Sequence, residues 1–258
     1  MSAVALVLLL AVAAALGATA WRAHRKLRLV ERLVADQAQK LEHIQIEFGR
    51  FAPSAVVDHL SDPTGPMAPA RREVTVMFAD LRGFTPLSER MDPADMVNIL
   101  NGYFEAMTEA ITMHHGRVTQ FIGDGLLALF GALEPDPWQA QDAVKAALEM
   151  RRALARYNED LRERGFPALA FGVGIHSGGL VAGVMGNRSL STFTVVGDTV
   201  NTAARVEQLT RGHDVDVLIT ASVRAKLDAR YAVRELPAAL VKGKEQPIVT
   251  YHVIDMRP

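Results

Sequence analysis

The protein has 258 residues, with 28 basic side chains, 29 acidic side chains and no cysteine. The lack of cysteine excludes disulfide bonds, thiolate zinc sites and cysteine nucleophiles. The formal net charge of -1 argues against a general nucleic-acid-binding protein, which needs a basic face, so we expect no nucleic-acid partner. Hydrophobic residues make up 49% of the chain, which is enough for a packed core and excludes global disorder.

Residues 1–21 predict one transmembrane helix. No charged side chain occurs in residues 3–21, and about 20 apolar residues are long enough to cross a hydrocarbon layer of about 30 Å. Basic residues begin at Arg22. Because basic flanks stay on the cytoplasmic side, we expect a single-pass protein of the inner or cell membrane with the rest of the chain in the cytoplasm. The alternative is a cleaved signal peptide, but such a peptide carries basic residues before its apolar run.

Residues 22–52 predict a signalling helix that forms a parallel coiled coil. Apolar residues follow the alternating spacing of three and four that defines a heptad seam, at Leu27, Val30, Val34, Leu41, Ile44, Phe48 and Phe51. The polar Gln37 interrupts the seam and would help to fix its register. The alternative is an amphipathic helix packed on its own domain. Prolines then recur from Pro53 to Pro69, which predicts a linker over residues 53–70.

Residues 71–258 predict one α+β domain. The predicted strands are Glu73–Phe78, Gly116–Gln120, Gly125–Phe130, Ala168–His176, Gly179–Val184, Val215–Thr220 and Ile248–Ile254. The predicted helices are Pro93–His114, Pro137–Arg164, Thr199–Thr210 and Ala221–Leu227. The β-α-β-β-α-β order indicates a ferredoxin-like sheet with extensions. That fold hosts many activities, so the function has to be argued from motifs.

Two aspartates are candidates for a metal site. Asp80 follows an apolar strand, and Asp124 lies in a Gly-Asp-Gly turn. Carboxylates on adjacent strands suit Mg²⁺, which takes one or two carboxylates together with substrate phosphates. The backbone N–H groups of Gly83, Phe84 and Thr85 are candidates for phosphate binding at a helix start. The alternative for each aspartate is an ordinary turn or cap residue.

Asn201 and Arg205 are candidates for substrate contacts. They lie four residues apart in a predicted helix and therefore share one face of it. A guanidinium can neutralise charge that develops on a phosphoryl group, and a nearby amide can orient a ribose. The alternative is a solvated helix face.

Several separated motifs together resemble the class III nucleotidyl cyclases, the adenylyl and guanylyl cyclases. In chain order they read FADLRGFT, QFIGDG, GIHSGGLVAGVMG, VVGDTVNTAARVE and LVKGK. The resemblance covers residues 71 to 254, nearly the whole predicted domain, and the motifs occur in the order typical of the family.

The resemblance implies a role for each candidate residue. Asp80, Asp124 and the carbonyl of Leu81 would bind two Mg²⁺ or Mn²⁺ ions for an in-line attack of the ribose 3′-OH on the α-phosphorus. Arg205 would stabilise the transition state, and Asn201 would position the ribose. Lys242 or Lys244 would contact the polyphosphate. The family also implies a homodimer in which the metal carboxylates come from one subunit and the Asn/Arg pair comes from the other. A coiled coil would keep two such domains together.

The resemblance also places base selection at Gln120 and Thr194. Adenylyl members usually carry lysine at the first position and guanylyl members glutamate. A glutamine amide can pair with adenine, or with guanine after a flip, because it has both donors and an acceptor. Many bacterial adenylyl members also have threonine at the position of Thr194. We therefore expect ATP as the substrate, with GTP as the alternative.

The resulting expectation is an adenylate cyclase that converts ATP to 3′,5′-cyclic AMP and pyrophosphate. One alternative is a guanylate or dual-specificity cyclase. The other is a catalytically inactive, dimeric signalling module of the same fold.

Overall fold

The computed structural model describes residues 69–186, 191–240 and 246–257, together with positions 21, 24, 28, 34–37, 39 and 40. The chain divides into two compact units, Met1–Asp62 and Pro63–Pro258. The described positions of the first unit are helical and exposed. Most of the predicted transmembrane helix (1–21), coiled coil (22–52) and linker (53–70) lies outside the described residues. Among the residues that are described, no helix has the length and apolar character needed to cross a membrane.

The second unit contains a mixed sheet and helices, as an α+β domain should. Its described strands are β1 (Ala70–Leu81), β2 (Arg117–Ile122), β3 (Gly125–Phe130), β4 (Phe171–Gly186), β5 (Ser191–Val196), β6 (Val217–Thr220), β7 (Tyr231–Glu235) and β8 (Thr250–Met256). Its described helices are α1 (Phe84–Ser88), α2 (Pro93–Thr112), α3 (Gln139–Glu163), α4 (Asp198–His213) and α5 (Ala221–Arg224).

The strand order gives the expected ferredoxin-like core. The sheet runs β2-β3-β1-β4-β6-β8-β7, and β5 pairs with β4 off this path. Neighbouring strands among β2, β3, β1 and β4 are antiparallel. Helix α2 connects β1 to β2 and helix α3 connects β3 to β4, which is the β-α-β-β-α-β arrangement predicted from the sequence. The β4–β6 pair is parallel. This order puts β1 in the centre, with β3 and β4 on its two sides.

The two faces of the sheet are packed differently. On one face, α2 and α3 cover the main core, whose fully buried side chains include Met77, Tyr103 and Phe130. On the other face, α4 lies against β4, where glycines replace side chains. A Cβ added to Gly174 would lie 2.1 Å from the backbone nitrogen of Glu207, closer than real Cβ contacts allow. The helix backbone therefore lies directly on the strand.

One strand prediction is wrong at the glycine pair. The predicted strands Ala168–His176 and Gly179–Val184 form the single strand β4. The ladder continues through Gly178 and Gly179 because β1 runs beside β4 from Ala70 to Leu81. A Cβ on Gly178 would meet the Thr199 hydroxyl at 2.8 Å, so this glycine serves close packing and does not break the strand.

Other differences concern short elements. The sequence predictions placed a helix start at Gly83 to Thr85 without giving bounds for α1, and they omitted β5 and β7. The predicted helix Ala221–Leu227 is helical only over Ala221–Arg224. The last predicted strand begins two residues late, at Thr250, because Ile248 forms only an isolated bridge with Ala239.

Candidate functional site

The structure brings the two predicted metal carboxylates together. Asp80 lies near the end of β1, and Asp124 lies in the turn that joins β2 to β3, the strand beside β1. Gly123 adopts a φ of 62° in this turn, a conformation that glycine takes without strain. A Cβ on Gly125 would lie 2.9 Å from the carbonyl oxygen of Ala79 and 3.1 Å from a carboxylate oxygen of Asp80. The second glycine therefore lets the turn approach Asp80.

The charges of this pair favour a cation beside it. Burial and then the negative charge of Asp124 raise the pKa of Asp80, while Arg211 and a backbone hydrogen bond at Leu81 lower it. Two half-buried carboxylates that repel each other favour any cation placed between them. No group of three or more His, Asp or Glu side chains in the described part of the chain could hold a metal ion. A donor set of two carboxylates fits Mg²⁺ or Mn²⁺, which fill their remaining positions with water, carbonyl and phosphate oxygens.

The loop after Asp80 leads directly into a short helix. Gly83 has a φ of 64° and precedes α1 without any side-chain cap. Gly83 and Thr85 are exposed, and the Phe84 side chain packs against the main core. Leu81 is buried in that core. The loop geometry is compatible with the expected phosphate contacts, which stay a prediction.

Arg82 joins this loop to the end of α4. Its guanidinium donates to the carbonyl oxygens of Thr210, at 3.2 Å, and Val215, and it lies 3.4 Å from the carboxylate of Asp214. Thr210 lies in the last turn of α4 and Val215 follows the helix, so the positive guanidinium complements the negative end of the helix dipole. Arg82 therefore holds the loop after Asp80 against the C-terminal end of α4.

α4 carries the other predicted pair, Asn201 and Arg205. Asn201 is exposed and Arg205 is half-buried. One terminal nitrogen of Arg205 is buried without a hydrogen-bond partner among the described residues. No hydrogen bond in the described chain joins either side chain to Asp80 or Asp124. The structure thus places the pair on the expected helix but forms no hydrogen bond between the pair and the carboxylates within one chain.

The sequence predictions missed two charged residues further along α4. Arg211 donates from Nη2 to Asp80 Oδ2 at 2.5 Å. Glu207 is 6% exposed. Burial, followed by the charge of Asp80, raises its pKa to about 7. The two residues are four positions apart and so share a helix face. That spacing was visible in the sequence, but nothing in the sequence linked it to Asp80.

A buried hydroxyl also faces this region. Tyr103 on α2 is completely buried, and its hydroxyl has no hydrogen-bond partner among the described residues. Burial raises its pKa, and the charges of Asp80, Asp124 and Glu207 raise it further. The acidic groups are therefore near enough to Tyr103 to act on it electrostatically.

The predicted base-selecting residues lie on separate strands. Gln120 is exposed on β2 next to a β-bulge. Thr194 is half-buried on β5 opposite Gly183 of β4. No hydrogen bond joins them in the described residues. Lys242 and Lys244, the predicted polyphosphate contacts, lie outside the described residues.

Comparisons with known proteins agree with the motifs. The family model described as "Adenylate and Guanylate cyclase catalytic domain" matches residues 67–255. An adenylate cyclase of Anabaena cylindrica is 34% identical over 226 residues, which cover 83% of this chain but 44% of that protein. This chain therefore spans less than half the length of that relative.

Solved structures of both substrate types are similar. The guanylyl cyclase Cya2 superposes with a TM-score of 0.69 at 34% identity, covering 74% of this chain and 95% of that one. The adenylyl cyclase CyaB from P. aeruginosa superposes with a TM-score of 0.69 at 27% identity, covering 74% of this chain and 97% of that one. Motifs, fold and acidic pair thus lead to one conclusion: the chain belongs to the adenylate and guanylate cyclase catalytic domain family.

Proposed function

We propose that the protein is an adenylate cyclase that forms 3′,5′-cyclic AMP and pyrophosphate from ATP. The observation that carries this proposal is the pairing of Asp80 and Asp124 at neighbouring strands, in a domain of the adenylate and guanylate cyclase catalytic domain family. The alternative of a catalytically inactive module would be favoured by a missing metal or transition-state residue. Asp80, Asp124, Asn201 and Arg205 are all present.

Each residue has a defined task in this proposal. Asp80, Asp124 and the Leu81 carbonyl would hold two Mg²⁺ or Mn²⁺ ions, which supply Lewis-acid activation of the ribose 3′-OH and neutralise phosphate charge. Arg205 would neutralise charge on the phosphoryl group in the transition state, and Asn201 would orient the ribose.

Phosphate binding is assigned to a second set of residues. The N–H groups of Gly83, Phe84 and Thr85 and the side chain of Lys242 or Lys244 would hold the polyphosphate. These contacts would fix the triphosphate relative to the ribose, so that the 3′-OH and the α-phosphorus of the same nucleotide are held in a reactive orientation.

We further propose that two copies of the chain share each active site. In support, Asn201 is exposed, and no hydrogen bond or ion pair joins Asn201 or Arg205 to the acidic pair in the described part of one chain. A second copy would supply the missing guanidinium, and a coiled coil over residues 22–52 would bring the copies together. A single membrane span at residues 1–21, with the catalytic domain on the cytoplasmic side of the cell membrane, is the matching proposal for location.

ATP is the proposed substrate, and GTP is the second candidate. Gln120 supports both, because its amide can present either hydrogen-bonding order to a base edge. Thr194 supports ATP through the resemblance to bacterial adenylyl members. The likeness to a guanylyl cyclase structure at 34% identity is the specific observation that favours GTP. Adenylyl members of the family usually carry lysine at the position of Gln120, so Gln120→Lys should shift turnover towards ATP.

The test is cyclic-nucleotide formation by the purified protein with Mn²⁺ and either ATP or GTP. Asp80→Ala and Asp124→Ala should each abolish turnover, whereas the exposed Asp228→Asn should keep it. Arg205→Ala should lose about 100- to 1,000-fold in turnover. Equal turnover of the two nucleotides would contradict the preference for ATP, and activity in either Ala variant of the acidic pair would contradict the metal role.

Site sharing has its own test. Mixing inactive Asp80→Ala chains with inactive Arg205→Ala chains should restore part of the activity, because a mixed dimer contains one intact composite site. If mixtures at any ratio stay inactive while size measurements show mixed dimers, the sites are not shared.

A further inference from the structure

Arg211 forms an ion pair with Asp80, a carboxylate that the proposed reaction needs for metal binding. Its Nη2 atom lies 2.5 Å from Asp80 Oδ2. The two residues are 131 positions apart in the chain, so the contact is produced by the fold. No other lysine or arginine of the described chain makes an ion pair with Asp80 or Asp124.

The local structure fixes the base of Arg211 but leaves its side chain room to move. The last turn of α4 is held by Arg82, which bonds the carbonyls of Thr210 and Val215. The side chain of Arg211 is 56% exposed. A Cβ built at the next residue, Gly212, would meet nothing within 4 Å apart from its chain neighbours and the helix's own backbone. The guanidinium can therefore rotate into solvent without unpacking the helix.

The contact also has a clear electrostatic cause. Asp80 and Asp124 repel each other, and burial removes the water that would screen them. The positive charge of Arg211 offsets this repulsion when no metal ion is bound. Its guanidinium can donate hydrogen bonds to one carboxylate, but it cannot replace a divalent ion that accepts several oxygen ligands.

We propose that Arg211 sets the metal affinity of the site by competing with the divalent cation for Asp80. The metal-free protein holds Asp80 in the ion pair, and metal binding releases Arg211 to solvent. This inference rests on the metal role of Asp80 in the proposed function. It adds a residue that lowers metal affinity by a contact within the same chain.

Removing the competitor should tighten metal binding. The contact joins a half-exposed arginine to an aspartate that is 29% exposed, and ion pairs of this kind are worth up to about 1 kcal/mol, a factor of about five. Arg211→Gln should therefore bind Mn²⁺ about two- to fivefold more tightly. Arg211→Lys keeps the positive charge and should stay within about a factor of two of the original affinity.

The experiment measures Mn²⁺ binding directly, without nucleotide and without turnover. Free Mn²⁺ is followed by electron paramagnetic resonance as it is titrated into the purified full-length protein and each variant. The matched control is Arg164→Gln, which removes an arginine that pairs with Asp160 at 3.0 Å at the end of α3 and makes no ion pair with Asp80 or Asp124 in the described residues. Circular dichroism establishes that each variant keeps its secondary structure.

The outcomes separate this inference from the proposed function. Tighter binding by Arg211→Gln, with no change in Arg164→Gln, supports the competition. Unchanged or weaker binding by Arg211→Gln overturns it while leaving the metal role of Asp80 intact. If the unmodified protein and Asp124→Asn bind Mn²⁺ equally, the acidic pair is not the metal site, and both the proposed function and this inference fail. If Arg211→Gln does not fold, Arg211→Met serves as the second charge-removing variant with the same expected result.

Discussion

The buried carboxyl of Glu207 should make the protein less stable as the pH rises, and Glu207→Gln should remove this effect. Glu207 is 6% exposed, and its Oε1 atom is buried without a hydrogen-bond partner among the described residues. Burial is the main cause of its raised pKa, and the charges of Asp80 and Asp124 add to it, against the opposing effect of Arg211 and Arg82. The neutral carboxylic acid is therefore the form that the folded state prefers.

The sign and size of the effect follow from proton linkage. The pKa rises from 4.5 to about 7 on folding, so the stabilisation is complete below pH 4.5 and is lost as the pH rises through 7. At about 1.4 kcal/mol per pH unit, the loss is about 3 kcal/mol in the free energy of unfolding. Glutamine has nearly the same shape and stays neutral at every pH. We expect Glu207→Gln to match the original protein near pH 4.5 and to exceed it by about 3 kcal/mol above pH 8.

Urea unfolding at half-unit steps between pH 4.5 and 8.5 measures this difference. All other ionisable groups are the same in the two proteins, so the difference between the two stability curves reports on position 207. Glu105→Gln, on the exposed side of α2, provides a matched control that should leave the curve unchanged. Parallel curves for Glu207→Gln and the original protein would refute the reasoning, because they would mean that Glu207 is ionised in the folded state over the whole range.

Three other substitutions test two packing contacts and one ion pair. Gly174→Ala should lower the free energy of unfolding in urea by at least about 2 kcal/mol. The added Cβ would lie 2.1 Å from the backbone nitrogen of Glu207, an atom that cannot move without shifting α4. Unchanged stability would disprove that contact. Phe130→Ala should cost about 3–5 kcal/mol, because the ring is 1% exposed in the main core, and a loss below about 1 kcal/mol would contradict its burial. Arg151→Met should cost about 2 kcal/mol near neutral pH, because the guanidinium bonds Asp216 at 2.5 and 3.0 Å. The hydrogen bonds from Arg151 lower the pKa of Asp216 against the opposing effect of burial, so this deficit should shrink as the pH falls below 3.8; a deficit that stays constant would refute the ion pair.

The central sheet could be predicted because its strands and helices differ in hydrophobic period. β3 is buried at all six positions, which is what an uninterrupted apolar run predicts. The Gly-Asp-Gly turn could be predicted from glycine chemistry alone. The glycine pair at 178 and 179 led to a wrong prediction of two strands in place of β4. A glycine that breaks a strand and a glycine that lets a neighbouring helix approach have the same sequence signal.

The site was predictable in its carboxylates but not in its counter-charges. Asp80 and Asp124 each follow a local pattern, a strand end and a tight turn, and the motif resemblance joined them. Arg211 and Glu207 have no such pattern, because their importance comes from burial and from a contact across 131 positions of chain. Helix spacing shows that the two share a face, whereas only the fold shows that this face meets β1.

The position of α4 connects these observations into one argument. Gly174 brings the helix backbone onto β4, the strand that pairs with β1 at Asp80, while Arg82 bonds the helix end to the loop after Asp80. A helix held at both places has little freedom to shift as a body. Changes in the charge of the acidic pair must then be absorbed by side chains, and Arg211 is the exposed one that can move. The competition between Arg211 and a divalent cation therefore follows from a rigid helix as much as from the ion pair itself.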